Sequence, residues 1–205
     1  FPLFGSLVYA VAIWLPEVRH SHAGRRVVAG VQRAIDPGRE LREAQDAFDL
    51  AATADNRLRL AEALLEAGRP TEAVQQFRAA MRHVHSDDPT MQVRLAAALL
   101  ESGDAAAARD ELEALRRAHP QFRSPEGHLI YARALAAAGE RERAREEFEA
   151  LVVYYAGFEA RARYAEVLLQ WGEASAARGL AETALKQQFN FLIDFKKLTI
   201  IFTTF

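Results

Sequence analysis

Apolar residues along the middle of the chain follow helical spacing, and a longer period is laid over it. Leu60–Met81 reads LAEALLEAGRPTEAVQQFRAAM, and related strings start at Leu95, Tyr131 and Tyr164. Aligned on Gly68, Gly103, Gly139 and Gly172, the copies lie 35, 36 and 33 residues apart. Leu60-Ala61, Leu95-Ala96, Tyr131-Ala132 and Tyr164-Ala165 precede the glycines at a constant offset, followed by Leu64, Leu99, Leu135 and Leu168. That is one face of a first helix. The glycine stands where this helix must stop, because a positive φ is cheapest there as glycine. Beyond it lie a small-residue column, Ala73, Ala108, Ala144 and Ala177, and an apolar seam. The seam is Phe77, Leu112, Phe148 and Ala181, then Ala80, Leu115, Leu151 and Ala184. A small residue lets the second helix approach the first, and the seam packs it on its own partner and on the next hairpin. A period of this size predicts stacked helical hairpins.

Start signals agree with these boundaries. Asp88-Pro89 and Ser124-Pro125 each offer a capping side chain followed by proline at the first helical position, and Asp104 can cap the helix after Gly103. Upstream, Asp36-Pro37-Gly38 breaks the chain, and Arg39–Thr53 predicts a helix with Leu41, Ala44, Phe48 and Ala51 or Ala52 inward. Ala44 and Phe48 have the spacing of a second repeat helix, so residues 39–55 read as a half-repeat capping the array.

Over residues 56–186 the four copies resemble the tetratricopeptide repeat, because small, large and turn positions agree in every copy. The resemblance implies an all-α fold, a right-handed superhelix of helical hairpins with a protein-binding concave groove lined by the first helices. Three departures stand out. The early tryptophan position holds Arg57, Gln92, His128 and Arg161, the closing proline survives as Pro120, and Ala181 replaces an aromatic in the fourth copy. The positions that the resemblance assigns to the groove are Leu58, Glu62 and Leu65; Val93, Ala97 and Leu100; Leu129, Arg133 and Ala136; Ala162, Glu166 and Leu169. Chaperone-binding members clamp a peptide carboxylate with Lys and Asn there; Leu58 and Glu62 stand in those places, which argues against a clamp. The groove reads as apolar with isolated Glu62, Arg133 and Glu166, suited to an amphipathic helix or an extended apolar peptide. Capping segments of the chain itself are the alternative occupant.

The ends differ from the repeats. Phe1–Leu15 carries no charge, and as a helix it would reach ~22 Å against a hydrocarbon core of ~30 Å. The chain opens on Phe1 and not on Met, so a longer reading frame supplying the missing turns is expected. Tyr9 and Trp14 are interface-type aromatics, and Arg19, His20, His22, Arg25 and Arg26 follow Pro16-Glu17. Residues 1–18 thus read as a transmembrane-type helix and 19–38 as a basic juxtamembrane linker, with the repeats facing the cytoplasm at the inner membrane. A signal peptide with Ala10-Val11-Ala12 at its cleavage site and an apolar capping helix are the competing readings. Pro2, Gly5 and Tyr9 in this run resemble the second helix of the membrane hairpin of phospholipase D and cardiolipin synthase-type proteins. That family's catalytic His-x-Lys-x4-Asp motif is absent, so the resemblance implies a membrane segment and no chemistry. Residues 25–35 place Val27, Val28, Val31 and Ile35 on one face, fit for anionic headgroups or a solvated linker. At the other end, residues 1–185 contain 23 Arg and no Lys, whereas the last twenty hold all three Lys and five of the twelve Phe. Residues 187–205 read as an atypical hydrophobic tail, foreign to the protein or an accidental hydrophobic cap, with a second membrane contact as the functional alternative, and β-prone if exposed.

Charge and chemistry narrow the function. The net charge of −2 hides an asymmetry: residues 1–39 carry +3 and residues 40–185 carry −7. An acidic array argues against nucleic acid, since phosphate contacts need clustered Lys and Arg. There is no cysteine. His83-x-His85 beside Asp87 and Asp88 is the nearest approach to a metal set, but residues two apart on a helix face different ways. Glu142, Glu146, Glu147 and Glu149 among Arg141, Arg143 and Arg145 predict a solvated helix face with pairing along the helix. No phosphate-cradling loop or hydrolase motif occurs, so neither enzymatic activity nor a cofactor is expected. The expectation is a membrane-anchored bacterial scaffold for an unidentified protein or peptide partner. A periplasmic or soluble repeat protein assisting envelope assembly, or an accessory domain of a membrane phospholipid enzyme, is the alternative.

Overall fold

The computed structural model describes residues 36, 38–82, 87–155, 158–183 and 185–186. The expected membrane helix, most of the juxtamembrane linker, the terminal tail, and His83 and His85 lie outside the described residues. Among those described, every regular element is a helix. They are α1 (Arg39–Leu50), α2 (Ala54–Glu66), α3 (Pro70–Met81), α4 (Pro89–Glu101), α5 (Ala105–Ala118), α6 (Pro125–Ala137), α7 (Arg141–Tyr154) and α8 (Phe158–Gln170). A further helical stretch, α9, covers 174–183. None of the described helices is long and apolar enough to cross a membrane. The chain divides into two compact units, with the boundary inside α3 between Gln76 and Phe77.

The glycine period is a backbone requirement. Gly68, Gly103, Gly139 and Gly172 have φ of 72°, 90°, 84° and 83°, where a side chain is strained. The residue after each glycine returns its N–H five residues back: Arg69 to Leu64, Asp104 to Leu99, Glu140 to Leu135 and Glu173 to Leu168, at 2.8–2.9 Å. This six-to-one bond closes the C-terminal carbonyls of the first helix and turns the chain into the second. Helix starts are capped as the sequence predicts: Asp88 accepts from Thr90 N, Asp104 from Ala107 N and Ser124 from Gly127 N.

In the first unit α1 packs on α2 and buries Ala44 completely. The predicted helix over Arg39–Thr53 is shorter than expected. It ends at Leu50, and Ala51 and Ala52 are exposed. The reason is competition for the turn. Thr53 caps α2 by accepting from Asn56 N, and the Asn56 amide donates to Ala47 O and Ala51 O, closing α1 early.

In the second unit α4 packs on α5, α5 on α6, α6 on α7 and α7 on α8. The alanine column is buried as predicted: Ala108 and Ala144, like Ala73 of the first unit, are fully covered and Ala177 nearly so. Phe148, Leu151 and Tyr164 lie in one core cluster, with the Phe148 and Tyr164 rings stacked 4.8 Å apart. Leu112, Leu115, Tyr131, Leu135 and Ala144 form another. Ala181 is only partly buried, so the seam thins in the fourth copy.

Candidate binding surface

Within the second unit the first helices form a row. α4 packs directly on α6, and α6 on α8. Close approach depends on Gly127, where a Cβ would meet Val93 Cγ2 at 3.0 Å. The second helices approach one another less closely, and long charged side chains join them. Arg109 reaches Glu140 at 2.5 Å, Arg116 reaches Glu147 at 3.0 Å and Arg143 reaches Glu113 at 2.8 Å. These partners are 30 or 31 residues apart, close to the repeat period. Arg145 pairs with Glu173, and Arg143 also with Glu140. The expected pairing along α7 is therefore corrected. Stacking brings Arg143, Arg145 and Glu147 of α7 beside neighbouring hairpins, and inter-helix pairs take the place of most pairs within the helix.

The predicted groove positions separate into two sets. Val93 and Leu129 are buried, at 3% and 5% exposure, in the two core clusters of this unit. They are core residues, because helical spacing turns this column toward the neighbouring hairpin. Ala97, Leu100 and Ala136 are partly buried and pack on the core edge. Ala162 is partly buried, and Glu166 and Leu169 are exposed, Leu169 at 58%. Arg133 pairs with Glu101 across α4 and α6 at 2.8 Å, and Glu166 pairs with Arg163. What the row offers is an apolar strip, Leu100 to Ala136 to Leu169, interrupted by paired charges. In the first unit, Leu58 is buried at 8%, and Glu62 and Leu65 are partly buried on α2.

Of the four polar residues in the tryptophan column, Arg57, His128 and Arg161 are engaged by side-chain contacts. Arg57 donates to Gln76 Oε1 at 2.9 Å and lies 4.6 Å over the Phe48 ring. Arg161 is 9% exposed and donates to Val152 O and Tyr155 O, satisfying carbonyls at the end of α7. Gln92 Oε1 is buried without a hydrogen bond. His128 is the most connected. Its Nδ1 takes the Tyr154 hydroxyl, its ring stacks on Tyr154, and its Nε2 lies 2.6 Å from Glu147 Oε2. The last contact is close but its alignment falls short of a regular hydrogen bond. His128, ahead of Arg116, holds the Glu147 carboxyl down to about 2. Glu111 goes the other way: burial raises it, opposed by Arg78. Gln76 and Glu147 were missed as partners in the sequence, although both stand nineteen residues after the column position they meet. Among the described residues no group of acids and histidines is placed to hold a metal.

Residues 64–128, about a third of the chain, match the sequence profile described as tetratricopeptide repeat. No curated protein matches the chain. Among solved structures, a thermophilic tetratricopeptide-repeat protein of Thermus thermophilus is 19% identical with a TM-score of 0.60, covering 84% of this chain and 96% of that one. MamA of Desulfovibrio magneticus RS-1, from residue 41 to its end, is 15% identical with a TM-score of 0.60, covering 81% and 93%. At these identities the likeness is one of fold alone: an all-α array of helical hairpins of the tetratricopeptide type.

Proposed function

We propose that the protein is a non-catalytic interaction scaffold that holds a partner protein against the row of first helices in its second unit. The observation that supports this most is the direct α4–α6–α8 packing. It leaves Leu100 and Ala136 partly exposed and Leu169 exposed along the row, while the charges beside them, Arg133 and Glu166, are already paired. Such a strip fits an amphipathic helix or an extended apolar peptide, whose apolar side chains are buried without stranding a charge. Neither reading calls for a cofactor. Pull-down with the wild-type chain and with Leu100→Glu and Arg133→Glu tests the assignment. Loss of the same partners from both variants, with unchanged melting curves, is expected; an unchanged partner set would move binding to another face.

We also propose that residues 1–18 tether this scaffold to the cytoplasmic membrane with the repeats on the cytoplasmic side. The support is the uncharged run Phe1–Leu15 followed by Arg19, Arg25 and Arg26. Fractionation of cells expressing the chain, with and without residues 1–18, checks it: a chain that stays in the soluble fraction in both forms has no tether, and repeats cleaved by external protease reverse the orientation.

A further inference from the structure

A cavity of about 520 Å³ lies away from the first-helix strip, between the end of α5, the 119–124 turn, the start of α6 and the end of α7. Its size is that of a small-ligand site, about 300–1,000 Å³. Leu112, Leu115, Tyr131 and Tyr154 supply apolar and aromatic walls, and the lining includes two arginines, two histidines and no carboxylate. The two arginines are held differently. Arg116 lies 4.6 Å over the Tyr131 ring and spends both terminal nitrogens on Glu147, at 3.0 and 3.4 Å. Arg123 donates one terminal nitrogen to Pro120 O at 2.6 Å and to Phe122 O at 3.1 Å. Carbonyls fix the direction of a guanidinium without neutralising it, and its other N–H groups remain donors in a planar fork that matches a carboxylate. His119, also in the lining, has its Nε2 3.0 Å from Asp87, which lies outside the lining.

We propose that this cavity is a second recognition site, taking an aromatic side chain beside Phe122 and Tyr154 with an adjacent carboxylate on Arg123. An aromatic ring gains from burial against the apolar and aromatic walls, and the anion gains a charge-assisted hydrogen bond at the rim. The carboxylate can be a chain terminus or an acidic side chain next to the aromatic residue. The site does not rest on the first-helix strip, and Leu100→Glu leaves it intact.

The test is an NMR titration of the full chain, isotopically labelled, with N-acetyl-phenylalanine, its amide, and N-acetyl-glutamyl-phenylalanine amide. Saturable shifts confined to residues 119–131 and the end of α7 are expected for the first or third probe. Binding of the uncharged amide should be at least about tenfold weaker, the scale of one charge-assisted hydrogen bond. Preference for the first probe assigns a chain terminus and preference for the third an internal acid. Arg123→Gln should erase the advantage of the charged probes while the melting temperature stays within a degree or so. Shifts that do not saturate, equal binding of acid and amide, or discrimination retained in Arg123→Gln would each overturn the proposal.

Discussion

Phe148→Ala is the sharpest test of how the hairpins hold together. Phe148 has no exposed surface and is among the largest fully buried side chains among the described residues. It stacks on Tyr164 from the next hairpin, so one side chain joins α7 to α8. Truncation forfeits a transfer free energy of about 2 kcal/mol. A residual cavity of on the order of 50 Å³ at about 24 cal/mol per Å³ adds about 1.2 kcal/mol. Losing the stacked geometry adds about 0.5–1 kcal/mol. The sum, about 4 kcal/mol, is a large part of the roughly 5–15 kcal/mol that holds a domain together. Urea unfolding followed by circular dichroism measures the total. Because each repeat leans mainly on its neighbours, amide hydrogen exchange should show the loss concentrated in α7 and α8. A cost under about 1 kcal/mol, or exchange accelerated equally in α1 and α8, would refute this account of the seam.

Three further outcomes follow from side-chain placement. Ala144 is fully buried where α7 meets the core, so Ala144→Leu should overpack and cost about 1–3 kcal/mol, whereas Ala106→Leu on an exposed face should stay within about 0.5 kcal/mol in the same melts. Glu147→Gln should destabilise above pH 5. The native carboxyl is held down to about 2 by His128 and Arg116, so its contribution is present above the unfolded value of about 4.3 and fades as pH falls toward 2. A melting-temperature gap that does not narrow between pH 5 and pH 2.5 would exclude the pairing. Glu111→Gln should act with the opposite sign. Burial raises this carboxyl, so its charge opposes folding at neutral pH; the variant should melt higher at pH 7, and the advantage should vanish in acid.

Much of the architecture is legible in the sequence, for local reasons. A Gly every 33–36 residues, a capping residue with proline after it, and an alanine five residues beyond each turn are demands of backbone and helix geometry. They act over a few residues, and Gly139 with its Schellman bond from Glu140 to Leu135 meets them as read. Thr53 shows the limit. The pattern through Ala52 still looks helical, and the helix stops at Leu50 because Thr53 and Asn56 serve the next element.

The binding surface was legible only in part. Helical spacing identified the faces of the first helices but could not say which column the next hairpin would cover. The angle between neighbouring hairpins decides that, and it buries Val93 and Leu129 while leaving Leu100 and Leu169 accessible. Pairing of the charged side chains was likewise beyond a one-dimensional reading. Arg116 and Glu147 are 31 residues apart in sequence and 3.0 Å apart in space, a contact created by stacking one repeat on another. The amino-acid sequence by itself determined the repeat, its turns and its helix ends, because those depend on φ, capping and local periodicity. Only the tertiary structure decided which groove residues are covered, the inter-helix ion pairs and the Arg123 cavity, because these depend on how separate hairpins come to rest against each other.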